Sequence, residues 1–333
     1  MISCPYLNRL APSTVKKKSS RLVHTALECP FMRKYKDKLE EYKFYINERS
    51  KVTANAISMD RSKPITRIQT LKADLAKPVE TFNFSSFFNQ KVQSRIDDST
   101  YRVFRKILRY SEKFPYAEVF SGSTRKPITV WCSNDYLGLT RHPLVMEATT
   151  NAIRNHGAGS GGTRNISGNT LLHEKLEDEL ARYHKKESSL VFTSCFVANE
   201  ATLHTLGTAI PNVEYYSDAG NHASMIHGIR TSQATKYIFK HNNPEHLDHL
   251  LSKSPRSAPK IVAFETVHSM SGQISPLGDL LSVCKKHGAL SFVDEVHAIG
   301  LYGDNGSGVA EELGLGDQID VVSGTLGKAI GES

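Results

Sequence analysis

Two stretches decide the fold: ALSFVDEVHAIGLYG at residues 289–303 and IDVVSGTLGKA at residues 319–329. Each opens on a short apolar run, Ala289–Val293 and Ile319–Val322, and each turns polar at its end, at Asp294-Glu295 and at Ser323-Gly324-Thr325. Short apolar runs bounded by Gly and Ser read as strands buried on both faces, as in parallel sheets. The alternation extends upstream. Leu172, Leu176, Leu180 and Tyr183 form one stripe of a helix that ends before the apolar run Leu190–Phe192. Then follow helix-like 196–208, strand-like 213–216, helix-like 222–230, strand-like 237–239 and helix-like 244–252. A strand at 261–264 and a helix at 278–287, stopped by Gly288, complete the series. The expected fold class is α/β, a mainly parallel sheet with helices on both faces. Further upstream, Val103, Phe104, Ile107 and Leu108 in TYRVFRKILRY (100–110) stand at helical spacing.

The 333 residues are 39% hydrophobic and 23% charged, a globular composition that excludes a wholly disordered chain. No stretch approaches the ~18 consecutive apolar residues of a membrane span, so no transmembrane segment is expected. The net charge of +8 is unevenly placed. Residues 1–80 hold 17 Lys+Arg against 8 Asp+Glu, and the rest holds 25 against 26. A neutral body is not that of a nucleic-acid-binding protein, whose basic patch sits on a folded face. Residues 1–27 carry Arg9, Lys16, Lys17, Lys18 and Arg21 and no acid. That is transit-peptide composition and points to a mitochondrion, with a solvated basic tail as the alternative.

In open α/β sheets ligands bind beyond the carboxyl ends of the strands. There this sequence is polar: Thr193-Ser194-Cys195, Ser217-Asp218, Glu265, Asp294-Glu295 and Ser323-Gly324-Thr325. Asp294, His297, Thr325 and Lys328 bring a carboxylate, an imidazole, a hydroxyl and an amine to one rim. The set suits pyridoxal phosphate, which needs a lysine for its Schiff base, a carboxylate to keep its pyridine nitrogen protonated, and donors for its phosphate. Asp-Glu pairs at strand ends also cap helices, and Gly-Lys in a loop is often plain surface. The order and strand-end placement together favour the cofactor. Gly324-x-x-Gly327-Lys328 is not a P-loop, because the spacing is short and Ala329 follows the lysine. His222, in Asn221-His222-Ala223-Ser224, is placed to stack on a pyridine ring or to cap the next helix. His241, His246 and His249 lack zinc-ligand spacing, so no metal is expected.

Five widely spaced cysteines (Cys4, Cys29, Cys132, Cys195, Cys284) form no C-x-x-C pair, and a disulfide framework is not suggested. Cys4 and Cys29 each precede a proline and two apolar residues, Tyr6-Leu7 and Phe31-Met32. A thiolate held out of helix by proline is a candidate axial ligand for haem iron.

The runs SNDYLGL (133–139), GAGSGGTRNISGNT (157–170), NHASMIHGIR (221–230), VDEVHAIGLYG (293–303) and SGTLGKA (323–329) resemble the α-oxoamine synthase family, pyridoxal-phosphate enzymes of fold type I. YRVFRKILRYSEKFP (101–115) and GTRNISG (162–168) are similar to the branch of that family that makes 5-aminolevulinate rather than to glycine C-acetyltransferase or the serine-using members. The resemblance implies that Lys328 carries the cofactor and removes the glycine α-proton, and that Asp294 pairs with the pyridine nitrogen. His222 would stack on the ring, His297 bond its phenolic oxygen, Thr325 and Ser269 bind the phosphate region, and Cys195 and Phe196 supply backbone contacts. Arg102, Thr163 and Asn165 would recognise the carboxylate of succinyl-CoA, Ile166 line its pocket, and Ser217 and Lys236 touch the CoA portion. Asn134 would lie near the glycine end. The implied reaction condenses glycine with succinyl-CoA and releases CoA and carbon dioxide.

The same resemblance implies a homodimer in the mitochondrial matrix, with regulatory haem at Cys4 and Cys29. It divides the chain into a targeting and regulatory extension (1–80), mostly disordered with at most a short helix near 33–46, and an N-terminal segment plus incomplete cofactor-binding large domain (81–333). Because the sequence stops at Ser333, soon after Lys328, a C-terminal domain that anchors glycine's carboxylate is expected to be missing. The expectation is then a chain with little activity alone, the alternatives being a non-catalytic form that dimerises or senses haem, or another α-oxoamine synthase such as glycine C-acetyltransferase.

Overall fold

The computed structural model describes residues 81–331, which fall into two units divided between Arg102 and Val103. The expected extension, its helix near 33–46, and Cys4 and Cys29 lie outside the described residues. The first unit contains helix α1 (Phe84–Asp97), whose start is capped by the Asn83 side chain accepting from the Ser86 N–H at 2.9 Å.

The second unit opens on a small antiparallel sheet of β1 (Lys106–Arg109), β2 (Tyr116–Ser121) and β3 (Thr124–Thr129). This corrects the helical reading of residues 100–110. Among the described residues the apolar stripe seen there meets no core: Val103 and Phe104 are 79% and 90% exposed. Residues 106–109 instead pair with β2, Ile107 opposite Val119. The β2–β3 hairpin closes through Gly122, whose φ of 61° suits a residue without a side chain.

Two helices follow, α2 (Pro143–His156) and α3 (Leu171–Tyr183), separated by one π-helical turn at Arg164–Gly168. The N-terminus of α3 is closed by reciprocal Thr170 and His173 contacts. Leu190–Phe192, read as an apolar strand, forms none. Beyond it the sequence alternates as expected: α4 (Cys195–Ala209), β4 (Glu214–Asp218), α5 (Ala223–Ser232), β5 (Thr235–Phe239), α6 (Pro244–Leu251), β6 (Lys260–Glu265), α7 (Leu277–His287), β7 (Leu290–Asp294), the short α8 (Val309–Glu312) and β8 (Val321–Ser323). The five strands pair in parallel in the order β5-β4-β6-β7-β8.

Period-two alternation sends neighbouring strand residues to opposite faces. Tyr215, Ile261, Ala263 and Phe292 pack with Leu203 of α4 and with Met225 and Ile229 of α5. Tyr216, Val262, Phe264 and Val293 pack with Leu247 and Leu251 of α6 and with Leu277, Leu280 and Leu281 of α7. Central strand β6 is buried along its whole length. Its first residue, Lys260, is buried without a carboxylate and donates to the Pro255 and Ala258 carbonyls, each at 2.7 Å. Helices α4 and α5 approach closely at Gly228, where a Cβ would stand 2.7 Å from the Glu200 carbonyl oxygen.

Candidate active site

Strands β6, β7 and β8 end level with one another. Glu265 pairs in register with Asp294, and Asp294 with Ser323. Three polar side chains therefore stand side by side at the carboxyl edge of a sheet whose interior is apolar.

Asp294 is only 4% exposed. Its Oδ2 accepts from Asn199 Nδ2 at 2.7 Å and its Oδ1 from the Val296 N–H at 2.8 Å, so the carboxylate is fixed in direction. Asn199 lies one turn beyond Cys195 on α4, and its amide also reaches Ser224 Oγ at 3.1 Å. Burial pushes the Asp294 pKa up, while the Val296 and Asn199 donors and the charges of His222 and Lys328 pull it down. A buried carboxylate held this way calls for a cation against it, as a protonated aromatic nitrogen would be.

The adjacent Glu295 does different work. It is buried, accepts from Thr266 Oγ1 at 2.5 Å, and takes the Val309 and Ala310 N–H groups at 3.2 and 2.9 Å, capping the turn into α8. Of the two readings open for an Asp-Glu pair, Glu295 is the helix cap. His222 caps α5: its Nδ1 lies 3.2 Å from the Ser224 N–H and 2.7 Å from Ser224 Oγ. The ring stays exposed and meets Phe196 edge-on at 6.1 Å, which leaves its outer face open for stacking.

His297 is half-buried, and burial, with the charges of Lys328 and His222 behind it, lowers its pKa to about 4. Its Nδ1 lies 2.9 Å from the Tyr136 hydroxyl. Burial raises the Tyr136 pKa, so the phenol keeps its proton and donates it. A neutral imidazole that accepts at Nδ1 carries its own proton on Nε2. The turn bearing Lys328 rests on the turn after His297. Gly300 (φ 82°) lies where a Cβ would be 2.6 Å from Ala329 Cβ. Thr325 Oγ1 accepts from the Gly327 N–H at 3.1 Å, setting the loop before Lys328.

Cys195 begins α4 behind its cap Ser194, with Sγ 4.0 Å from Ser323 Oγ. Burial, then the charge of Asp294, pushes its thiol up to about 12, so it is not a nucleophile. Ser269 turns back onto β6, its N–H donating to Glu265 Oε2 at 3.1 Å. Lys328 is thus close enough for its charge to act on Cys195, Asp294 and His297, with Phe196 in the first turn of α4 and His222, Ser269 and Thr325 outside the helices and strands.

The substrate candidates are more dispersed. Thr163, Asn165 and Ile166 lie exposed on the π-turn, Ile166 at 85%. Arg164 between them faces inward and grips Glu177 of α3 at 2.6 and 2.9 Å. Asn134 is exposed. Lys236 is exposed on edge strand β5. Ser217 is buried, and its hydroxyl accepts from Asn221 Nδ2 at 2.9 Å. Arg102 belongs to the first unit.

Sequence reasoning missed Asn199 and Tyr136. The only signals were Asn199's position four residues after Cys195 and Tyr136's place within SNDYLGL. It also missed a cluster of Asp218, His241 and His268, whose ligand-type atoms lie within 4.8 Å of one another. Asp218 is already committed, accepting from the Gly220 and Asn242 N–H groups at 2.7 and 2.9 Å and facing His241 Nδ1 at 2.7 Å. The trio reads as a hydrogen-bonded loop anchor.

Residues 126–332 match the family model for aminotransferase class I and II. The erythroid-specific mitochondrial 5-aminolevulinate synthase of Homo sapiens is 55% identical over 252 residues, 75% of this chain and 43% of that protein. The corresponding protein of Danio rerio is 56% identical over 253 residues, with the same two coverages of 75% and 43%. The chain thus spans less than half the length of these curated relatives. Among solved structures, Sphingomonas wittichii serine palmitoyltransferase superposes with a TM-score of 0.67 at 31% identity, covering 75% of this chain and 62% of that one. A serine palmitoyltransferase from S. paucimobilis with a bound PLP–myriocin adduct gives 0.66 at 32% identity, with coverages of 75% and 62%. Matched over most of its length by the family model and over its whole strand-end site, the chain belongs to the aminotransferase class I and II family.

Proposed function

We propose that the chain carries the pyridoxal-phosphate site of a 5-aminolevulinate synthase, which condenses glycine with succinyl-CoA. The observation that carries this reading is the buried Asp294 carboxylate, aimed by Asn199 and Val296 and in no ion pair among the described residues. Bound there, the cofactor supplies an electron sink for the carbon beside glycine's amine. Asp294 holds the proton on the pyridine nitrogen. His297 donates from Nε2 toward the phenolic oxygen, and His222 covers the ring face. Thr325 and Ser269 serve the phosphate. Lys328 Nζ binds the cofactor and then takes up the glycine α-proton, a task for a neutral amine held near a cationic partner.

Thr163 and Asn165 offer hydroxyl and amide donors to a succinyl carboxylate, with Ile166 against its methylenes. Arg102, in the first unit, is assigned to carboxylate recognition because its planar fork binds two oxygens at once. Ser217 and Lys236 are assigned to the CoA portion and Asn134 to the glycine end. Cys195 and Phe196 contribute backbone at the start of α4. The assembly is a homodimer in the mitochondrial matrix. Residues 1–80 serve targeting and haem regulation through Cys4 and Cys29, and residues 81–333 form the N-terminal segment and large domain. Adding glycine to the cofactor-loaded chain tests the reading: a saturable change in the cofactor's visible absorbance supports it. An unchanged spectrum, with the cofactor demonstrably bound, contradicts it.

A further inference from the structure

We propose that Glu265 and His268 form a proton-holding pair behind Asp294, in which Glu265 carries a proton on Oε1 directed at the bare Nδ1 of His268. Asp294 is then the one anion of the in-register row Glu265, Asp294 and Ser323. Both residues are 2% exposed. Glu265 Oε1 and His268 Nδ1 are each buried without a hydrogen-bond partner, and they lie 3.9 Å apart. Two orphaned polar atoms facing each other in a dry site cost free energy unless something joins them. A proton on Oε1 does so after a small rotation of the carboxyl.

The tautomer follows from the far side of the ring. His268 Nε2 lies 3.2 Å from Asn242 Oδ1, an acceptor, so the ring proton sits on Nε2 and Nδ1 keeps its lone pair. Asn242 is itself fixed by its N–H, which donates to Asp218 Oδ2 at 2.9 Å.

The groups facing the pair come from several elements. Asp294 on β7 raises the Glu265 pKa, adding to burial, whereas the Ser269 and His222 N–H groups lower it; the balance lies at about 7. Cys195 at the start of α4 stays a neutral thiol. His268 is pushed down by burial and by His241, which packs edge-on at 4.1 Å, while Asp218 and the Gly220 carbonyl pull it up. Both shifts favour the neutral acid beside the neutral imidazole. Glu265 is a positioning residue: its proton sets how much negative charge faces the pyridine nitrogen. That consequence rests on the proposed cofactor site, whereas the pair itself does not.

The test is carbon NMR of the cofactor-free chain labelled at the glutamate side-chain carboxyl, titrated from pH 4 to 9. We expect one glutamate to titrate near 7, well above the ordinary ~4.3, and its signal to vanish in Glu265→Gln, whose amide N–H replaces the acid O–H toward His268. Should that variant not fold, Glu265→Asp removes the same signal. A chain in which every glutamate ionises below pH ~5 overturns the pair, as does a signal near 7 that survives both substitutions. With pyridoxal phosphate added, the parent's bound absorbance should inflect with Glu265 and the inflection should be absent in Glu265→Gln; a persisting inflection contradicts the positioning role. Failure of the cofactor to bind refutes the cofactor reading and leaves the NMR result to decide the pair.

Discussion

Asp294 and Glu265 stand side by side with different fates, and each gives a prediction. Asp294→Asn keeps the size but removes the charge, and its single amide oxygen can accept from only one of the Asn199 and Val296 donors. Exchange of the glycine α-proton should slow by roughly 10²–10³-fold, the scale for removing one preorganised electrostatic partner. Proton NMR of glycine in deuterium oxide measures it, and an unchanged rate contradicts the assignment. Glu265 bears on stability. Its folded pKa is raised to about 7, so between about pH 4.3 and 7 the unfolded chain releases a proton that the folded chain keeps. Stability should therefore fall as pH rises through that window, by roughly 3–4 kcal/mol in full. His268, held low, adds an opposite loss below about pH 6.5. Urea unfolding of parent and Glu265→Gln at several pH values should show the first trend only in the parent. Asp294, His297, Thr325 and Lys328 were legible because each follows an apolar strand run. Asn199 was not, since a polar residue on a helix looks alike whether it faces water or a buried carboxylate.

At the scale of elements, the sheet rests on alternating faces and on glycines that let helices close in. Phe264→Ala empties a fully buried position in β6 and should cost about 3–5 kcal/mol. Gly228→Ala inserts a methyl 2.7 Å from a backbone oxygen where α4 and α5 meet, and should cost about 1–3 kcal/mol. Thermal melts of both variants check these values, and a neutral Gly228→Ala contradicts the close approach. The α/β alternation from β4 to β8 was readable because the inner strands β4, β6 and β7 are buried between helices and so read as short apolar runs. Residues 100–110 misled because spacing alone cannot tell whether a core awaits the apolar stripe; among the described residues none does, and β2 pairing takes over. Leu190–Phe192 misled for a related reason, as an apolar run becomes a strand only beside a partner edge.

For the whole molecule, the central claim is that the carboxyl edge of this sheet is built around one cofactor, held covalently by one lysine. Lys328 sits on the loop after β8, its charge acting on Cys195, Asp294 and His297. The regulatory assignment of Cys4 and Cys29 is tested separately: ferric haem should give a thiolate-type spectrum that Ala at both positions removes. The most direct measurement is borohydride reduction of the chain incubated with pyridoxal phosphate, followed by peptide mapping. A single stably modified lysine, Lys328, is expected, with the label lost in Lys328→Ala. Label spread over surface lysines, or retained in Lys328→Ala, would contradict it.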